Sequence, residues 1–274
     1  MTKNPIQKSC VAIVGYPGCG KTVLLSTLCG EYYPLNDSTR RFNENYELLK
    51  KGKIPQRTEV LTKANMLAWE VPDHKCNRII VSRDFAGESW DSFVATYCGY
   101  GAPIPKCDDN EIANFLSQAE AIAVCVDLKA LIDEKDRKQT YLVYAISEFM
   151  KRIKLNPKRL AVVFTKYDLV EDFVTESRGL ENVLSGRFHL GLYEQLKNNF
   201  FPVSSIQTKY SHKEQKMIVK KDFVSIGQED LKNWIFWLQD CERGSWIIRS
   251  LKALIGQSPK RPEKIEYINS REVK

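Results

Sequence analysis

Residues Gly15-Tyr16-Pro17-Gly18-Cys19-Gly20-Lys21-Thr22 form a complete G-x-x-x-x-G-K-[ST] phosphate loop. The apolar run Cys10-Val11-Ala12-Ile13-Val14 precedes it, and Val23, Leu24, Leu25, Leu28 and Cys29 follow at helical spacing. Strand, loop and helix in that order is the context that gives the motif meaning. Glycines let backbone N–H groups turn inward around phosphate oxygens, and the start of the following helix adds partial positive charge. Gly15, Gly18, Cys19, Gly20, Lys21, Thr22 and Val23 are therefore the expected cradle of a nucleotide. Lys21 would reach the β- and γ-phosphates, and the Thr22 hydroxyl would take one position on Mg2+.

Two later strand ends carry acids. The segment Ile79-Ile80-Val81-Ser82-Arg83-Asp84-Phe85-Ala86-Gly87-Glu88 is an apolar run ending in Asp-x-x-Gly. An acid there can hold the Mg2+ shell through water, while the Gly87 N–H meets a γ-phosphate oxygen only when that phosphate is present. Further on, Ala161-Val162-Val163-Phe164 leads into Thr165-Lys166-Tyr167-Asp168.

With these motifs in this order the sequence resembles the translation-factor-related and Ras-like GTPases. The resemblance implies that Asp168 accepts hydrogen bonds from guanine N1 and the exocyclic amino group, while the stem of Lys166 covers the base. Thr165 stands where Asn is commoner. Adenine offers no matching donor pair, so Asp168 penalises ATP. The family's last base contact falls on Val203-Ser204-Ser205, which brings in Ser204 and Ser205. The implied ligands are GTP or GDP with Mg2+. The implied fold is α/β, a Ras-like three-layer α/β/α sandwich with a mostly parallel six-stranded sheet and insertions.

The resemblance also implies a threonine on Mg2+ between the phosphate-loop helix and the second strand. Thr58, in Gly52-Lys53-Ile54-Pro55-Gln56-Arg57-Thr58, is the first candidate, ahead of Thr62 and Thr39. This Gly-x-x-Pro-x-x-Thr pattern is similar to one in bacterial GTPases of the double-GTPase and conflict-system groups. The metal set is thus Thr22, Thr58 and Asp84. Lys21, Glu88 and Arg57 are the catalytic candidates. Glu88 follows Gly87 where many family members carry a water-orienting glutamine, and its charge beside a γ-phosphate implies slow turnover. Arg57 is either an internal arginine finger or a surface arginine. Pro17 limits the space early in the loop.

Alternation of apolar runs with helical patterns predicts a mainly parallel sheet flanked by helices. The expected strands are 11–14, 64–71, 78–83, 121–127, 160–165 and 200–204, with helices over 139–153 and 230–241. Residues 1–256 read as one nucleotide-binding domain with insertions near 30–60, 97–110, 171–191 and 207–224, followed by a basic tail over 257–274. The segments 97–107 and 171–191 read as mobile insertions beside the nucleotide.

The chain has 274 residues, 43% hydrophobic and 27% charged, which is enough apolar mass for a sizeable core. It has no apolar stretch of bilayer length, and its first residues lack a signal-peptide core, so a soluble, cytoplasmic protein is expected. Eight scattered cysteines without a C-x-x-C pair point to buried free thiols rather than disulfides or zinc. A net charge of +7 is spread out, with concentrations at Lys209–Lys221 and in the tail. These read as solvated surface or as contacts to an anionic surface. An effector or adaptor protein and an activating protein are the other expected partners. A nucleotide-stabilised scaffold without turnover and a phosphate-loop ATPase or kinase remain alternative readings.

Overall fold

The computed structural model describes residues 8–30, 32–53, 66–71, 77–83, 85, 87–98, 108–133, 137–211, 216–220 and 226–237. Strand β1 (Lys8–Val14) leads to helix α1 (Lys21–Cys29), then β2 (Tyr33–Pro34), α2 (Asp37–Lys50), β3 (Met66–Val71) and β4 (Asn77–Arg83). Next come α3 (Gly87–Cys98), α4 (Asp108–Ser117), β5 (Ala121–Asp127), α5 (Leu128–Ile132), α6 (Lys138–Arg152) and β6 (Leu160–Thr165). Three short helices, α7 (Glu171–Glu176), α8 (Leu180–Ser185) and α9 (Leu190–Leu196), precede β7 (Phe200–Pro202). A hairpin of β8 (Thr208–Ser211) and β9 (Lys216–Val219) and helix α10 (Gln228–Trp237) follow.

The main sheet runs in the order β2-β3-β4-β1-β5-β6-β7. Strands β4, β1, β5, β6 and β7 are parallel, whereas β3 is antiparallel to β4 and β2 to β3. Among the described residues the sheet therefore has seven strands where six are expected. The addition is the two-residue β2, whose Pro34 lacks an N–H and is suited to an edge strand.

Strands buried on both faces read as continuous apolar runs, and their alternate side chains feed two cores. Cys10, Ala12, Val14, Ile122, Val124, Val126, Val162 and Phe164 face Trp90 and Phe93 of α3, Ile112 of α4 and Leu142 and Ile146 of α6. Val11, Ile13, Ala123, Cys125, Ala161 and Val163 face Leu24, Leu25 and Leu28 of α1 and Leu231, Trp234 and Ile235 of α10. The result is a three-layer α/β/α sandwich.

The segments expected to be insertions have their own structure. Asn36 caps α2 by accepting from Thr39 N at 2.9 Å, and Asn43 accepts from Trp69 Nε1 at 3.1 Å, which docks α2 on β3. Residues 171–191 are not a loose insertion, because α7 to α9 bury Val174, Val183, Leu184 and Leu192 in the core. The basic stretch from Lys209 includes the antiparallel β8–β9 hairpin, with Thr208 opposite Val219. The strand expected over 200–204 stops at Pro202, and Ser204 instead bridges Ile226. Helix α10 starts at Gln228, just after Gly227 at φ 71, where a Cβ would meet Pro202 O at 2.0 Å. Gln228 Nε2 then donates to Thr27 Oγ1 and joins α10 to α1.

Among the described residues no group of His, Cys, Asp or Glu could hold a metal ion by itself, and no helix is long and apolar enough to cross a membrane. The cysteines described, Cys10, Cys19, Cys29, Cys98 and Cys125, are free thiols. Burial pushes the thiols of Cys10 and Cys29 far up, and that of Cys98 to about 11. A thiol held protonated in the fold ionises more readily in the unfolded chain, so its contribution is intact below the ordinary thiol pKa and is lost as pH rises above it. The urea midpoint is therefore expected to fall as pH is raised from 8 to 10.5. Replacing both Cys10 and Cys29 by alanine should flatten that alkaline limb in unfolding curves recorded across the same range.

Candidate functional site

The parallel strands end on one edge of the sheet, β5 and β6 level with each other and β1 three residues short of the end of β5. Val14 pairs in register with Val124, Asp127 with Thr165, and Phe164 with Pro202. Loops leaving these ends share one edge of the sheet, where open parallel sheets bind ligands.

The phosphate loop occupies this edge. Cys19 N donates to Tyr16 O at 3.3 Å, and Gly18 and Gly20 sit at φ 82 and 84. Lys21 is buried, and its Nζ donates to Gly15 O at 3.2 Å, folding the ammonium back over the loop. No side chain caps α1, and the first-turn amides of a helix lack intrahelical acceptors. Such a helix start suits an anion. Exposed Pro17 contributes no N–H to the cradle.

The end of β6 supports this loop directly. Thr165 is buried, and its hydroxyl proton is shared between Cys19 O and Val126 O, the latter at 3.1 Å. Gly20 lies against it, since a Cβ there would be 3.3 Å from Thr165 Cβ and Oγ1. Lys166 turns the chain at φ 60, and its ammonium donates to Gly18 O at 3.2 Å and pairs with Asp127. Half-buried Asp168 follows in a single 3-10 turn and has no hydrogen bond to another described residue. Tyr167 N reaches Val203 O at 3.4 Å and Val203 N reaches Phe164 O at 2.7 Å, which brings the loop after β7 beside this turn. Ser204 is buried there with its hydroxyl on Ile206 O at 2.7 Å, and Ser205 is partly exposed next to it. Burial and the nearby Glu171 raise the Tyr167 phenol. The thiol of Cys125 is pushed well up by its hydrogen bond with Cys19 and by burial.

Helix α3 closes the other side. Gly87 is its first residue and Glu88 is exposed in its first turn. Phe85, just before it, packs edge-on against Trp90 at 5.3 Å and Phe115 at 5.7 Å. Tyr16 of the phosphate loop donates to Asp91 Oδ1 at 2.9 Å, and Lys138 of α6 pairs with Asp91 Oδ2 at 3.0 Å.

Arg57, Thr58, Thr62 and Asp84 lie outside the described residues, as do 257–274 and part of Lys209–Lys221. Thr39 is fully buried, donates to Asn36 Oδ1 at 2.6 Å and accepts from Ala68 N at 2.9 Å, so its hydroxyl serves α2 and β3 rather than a metal. Sequence reading passed over Tyr16, Asp91 and Asp127 as site neighbours. Only Asp127 left a signal, an acid closing an otherwise apolar strand.

No family model matches the chain, and no curated protein matches it. Among solved structures it is similar to the Methanosarcina barkeri Roco2 RocCORdC bound to GDP, at 17% identity over 92% of this chain and 50% of that one, with a TM-score of 0.38. A bacterial selenocysteine-specific elongation factor, EF-Sec, aligns at 18% over 83% and 28%, with a TM-score of 0.40. The cytosolic domain of the T. maritima FeoB iron transporter in apo form aligns at 15% over 85% and 65%, with a TM-score of 0.42. This chain spans half the length of the first of these and less than two thirds of each of the others. At these similarities nothing about activity passes from them to this chain.

Gly20→Ala is expected to destabilise the protein by about 1–3 kcal/mol, because it combines an unfavourable φ with a tight contact to Thr165. Urea unfolding of the variant and the parent chain measures it.

Proposed function

We propose that this chain binds GTP and GDP with Mg2+, hydrolyses GTP slowly, and acts as a nucleotide-dependent switch on a protein partner. One observation carries the reading. Thr165 and Lys166 of the Thr-Lys-x-Asp turn hold the Cys19 and Gly18 carbonyls of the phosphate loop, so phosphate cradle and Asp168 form one rigid unit. Asp168 carries acceptors only, which suits the two adjacent donors of guanine and no such pair on adenine. The cradle fits a polyphosphate chemically, with an uncapped helix start, glycines at positive φ, and the Lys21 ammonium folded over the loop.

Mg2+ would be held by the Thr22 hydroxyl, with Asp84 and Thr58 as the further proposed ligands, and would neutralise charge on the β- and γ-phosphate oxygens. Glu88, in the first turn of α3, is proposed to orient water, and Arg57 to supply positive charge to the transferring phosphate. A carboxylate in the water-orienting place repels the γ-phosphate, and this supports slow turnover. The proposed switches are the segments that carry Thr58 and Asp84 to Glu88. An effector or adaptor would read them, an activating protein would complement Glu88, and the basic stretch Lys209–Lys221 or the tail would meet any anionic surface.

Titration with fluorescent GDP and ADP, with and without Mg2+, followed by phosphate release from GTP, tests this reading. Tighter GDP binding and slow release are expected. Guanine binding without release would leave a scaffold, and adenine preference would overturn the role given to Asp168. Lys21→Ala should abolish nucleotide binding, and Asp168→Asn should move preference from guanine to xanthine nucleotides, because the amide reverses the hydrogen-bond demand on the base. Glu88→Gln is expected to raise the single-turnover hydrolysis rate.

A further inference from the structure

Asp127 closes β5 after six buried apolar residues, in register with Thr165 and one residue short of Lys166. Its side chain is 13% exposed, and the residue is held from three directions, two through its carboxylate and one through its backbone. It accepts from Ala130 N at 3.0 Å as the cap of α5, its backbone N donates to Gln139 Oε1 of α6 at 2.6 Å, and it receives the Lys166 ammonium. Lys166 is the opposite case. Its side chain is 37% exposed, and it sits at φ 60, an unusual place for a residue with a Cβ. Without a fixed partner such a lysine would keep its ammonium in water and its stem disordered.

We infer that Asp127 is a specificity-determining positioning residue, holding Lys166 so that its stem presents a fixed surface to the nucleotide base. The inference rests on the guanine-nucleotide reading above. The ammonium is pinned at two points, Gly18 O and Asp127, so the methylene stem is stretched between the Thr-Lys-x-Asp turn and the phosphate loop. A charge-assisted bond to a nearly buried carboxylate is shorter and stronger than one to a carbonyl, and it is poorly screened by salt. Removing that charge leaves a single neutral acceptor, the stem swings free, and contact with the base weakens. The phosphates are gripped elsewhere, by the loop, Lys21 and the start of α1. Loss of Asp127 is therefore felt by ligands that carry a base and not by polyphosphate alone.

The test uses the full chain with fluorescent GDP and ADP, and inorganic tripolyphosphate as the base-free competitor. Asp127→Asn keeps an acceptor for the α5 cap while removing the charge. It is expected to weaken GDP about five- to tenfold, the scale set when a charge-assisted bond becomes a neutral one. Tripolyphosphate competition should stay within twofold. Lys166→Met should produce a similar GDP loss, and adding D127N to K166M should cost nothing more. Asp127→Glu, which keeps the charge, should retain most of the affinity, and it carries the test if the asparagine variant does not fold.

GDP binding unchanged in D127N, losses that multiply in the double variant, or an equal loss for tripolyphosphate would each overturn the role of Asp127. No preference for GDP over ADP in the parent chain, or no effect of K166M, would instead overturn the guanine reading, and this inference with it.

Discussion

The hydroxyl of Thr165 donates into the underside of the phosphate loop at the Cys19 carbonyl, and the geometry of the candidate site depends on that bond. A buried carbonyl left without a donor costs about 1–3 kcal/mol, so the loop is held down on the end of β6. Threonine reaches less far than asparagine, and the loop accordingly packs close. That closeness is why position 20 has no side chain, since even a methyl group would stand 3.3 Å from Thr165. Lys166 and Asp168 follow within three residues, so what fixes Thr165 also fixes the turn that carries them.

A second set of contacts ties the same loop to the opposite side of the site. Tyr16 leaves the loop in the direction of α3, its ring buried in the core and its hydroxyl on Asp91. Asp91 in turn pairs with Lys138 of α6, and Phe85 and Trp90 lock the entry to α3 edge to face. The phosphate loop thus stands between two supports of different kinds. One is polar, fully buried and short in reach, at the end of β6. The other is largely aromatic, with a single exposed ion pair that salt would screen.

Much of this was legible in the chain. The apolar runs at 121–127 and 160–165 were bounded to the residue, because strands buried on both faces carry no polar interruption until they end. The four motifs in order announced which strand ends would meet. Other elements were hidden for physical reasons. Helix α2 is polar on most of its surface and places only Thr39, Phe42 and Leu49 in the buried interior among the residues whose burial is described, too few apolar side chains to read as a core helix, although Asn36 before Asp37 is a helix-start signal. Two residues including a proline give no strand pattern, which concealed β2. Helices α7 and α8 are six residues each, too short for a period to emerge, so their buried Val174, Val183 and Leu184 read as scatter. The partnership of Asp127 with Lys166 spans 39 residues and is set by strand register alone, which one sequence does not display.

The buried sulfur atoms have a use of their own. Cys10 lies in β1, Cys19 in the phosphate loop, Cys29 at the end of α1 and Cys125 in β5, all sealed from solvent. Alkylating reagents attack the thiolate of a solvent-accessible cysteine, so in the native fold these positions are silent and react only when the structure around them opens. They lie in four different elements, so each reports on the opening of its own surroundings without any label being engineered, with Cys19 and Cys125 reporting together because their thiols are hydrogen-bonded. A reagent that reaches Cys19 ahead of Cys10 records the loop lifting away from Thr165, whereas both reacting at one rate record the whole sheet coming apart.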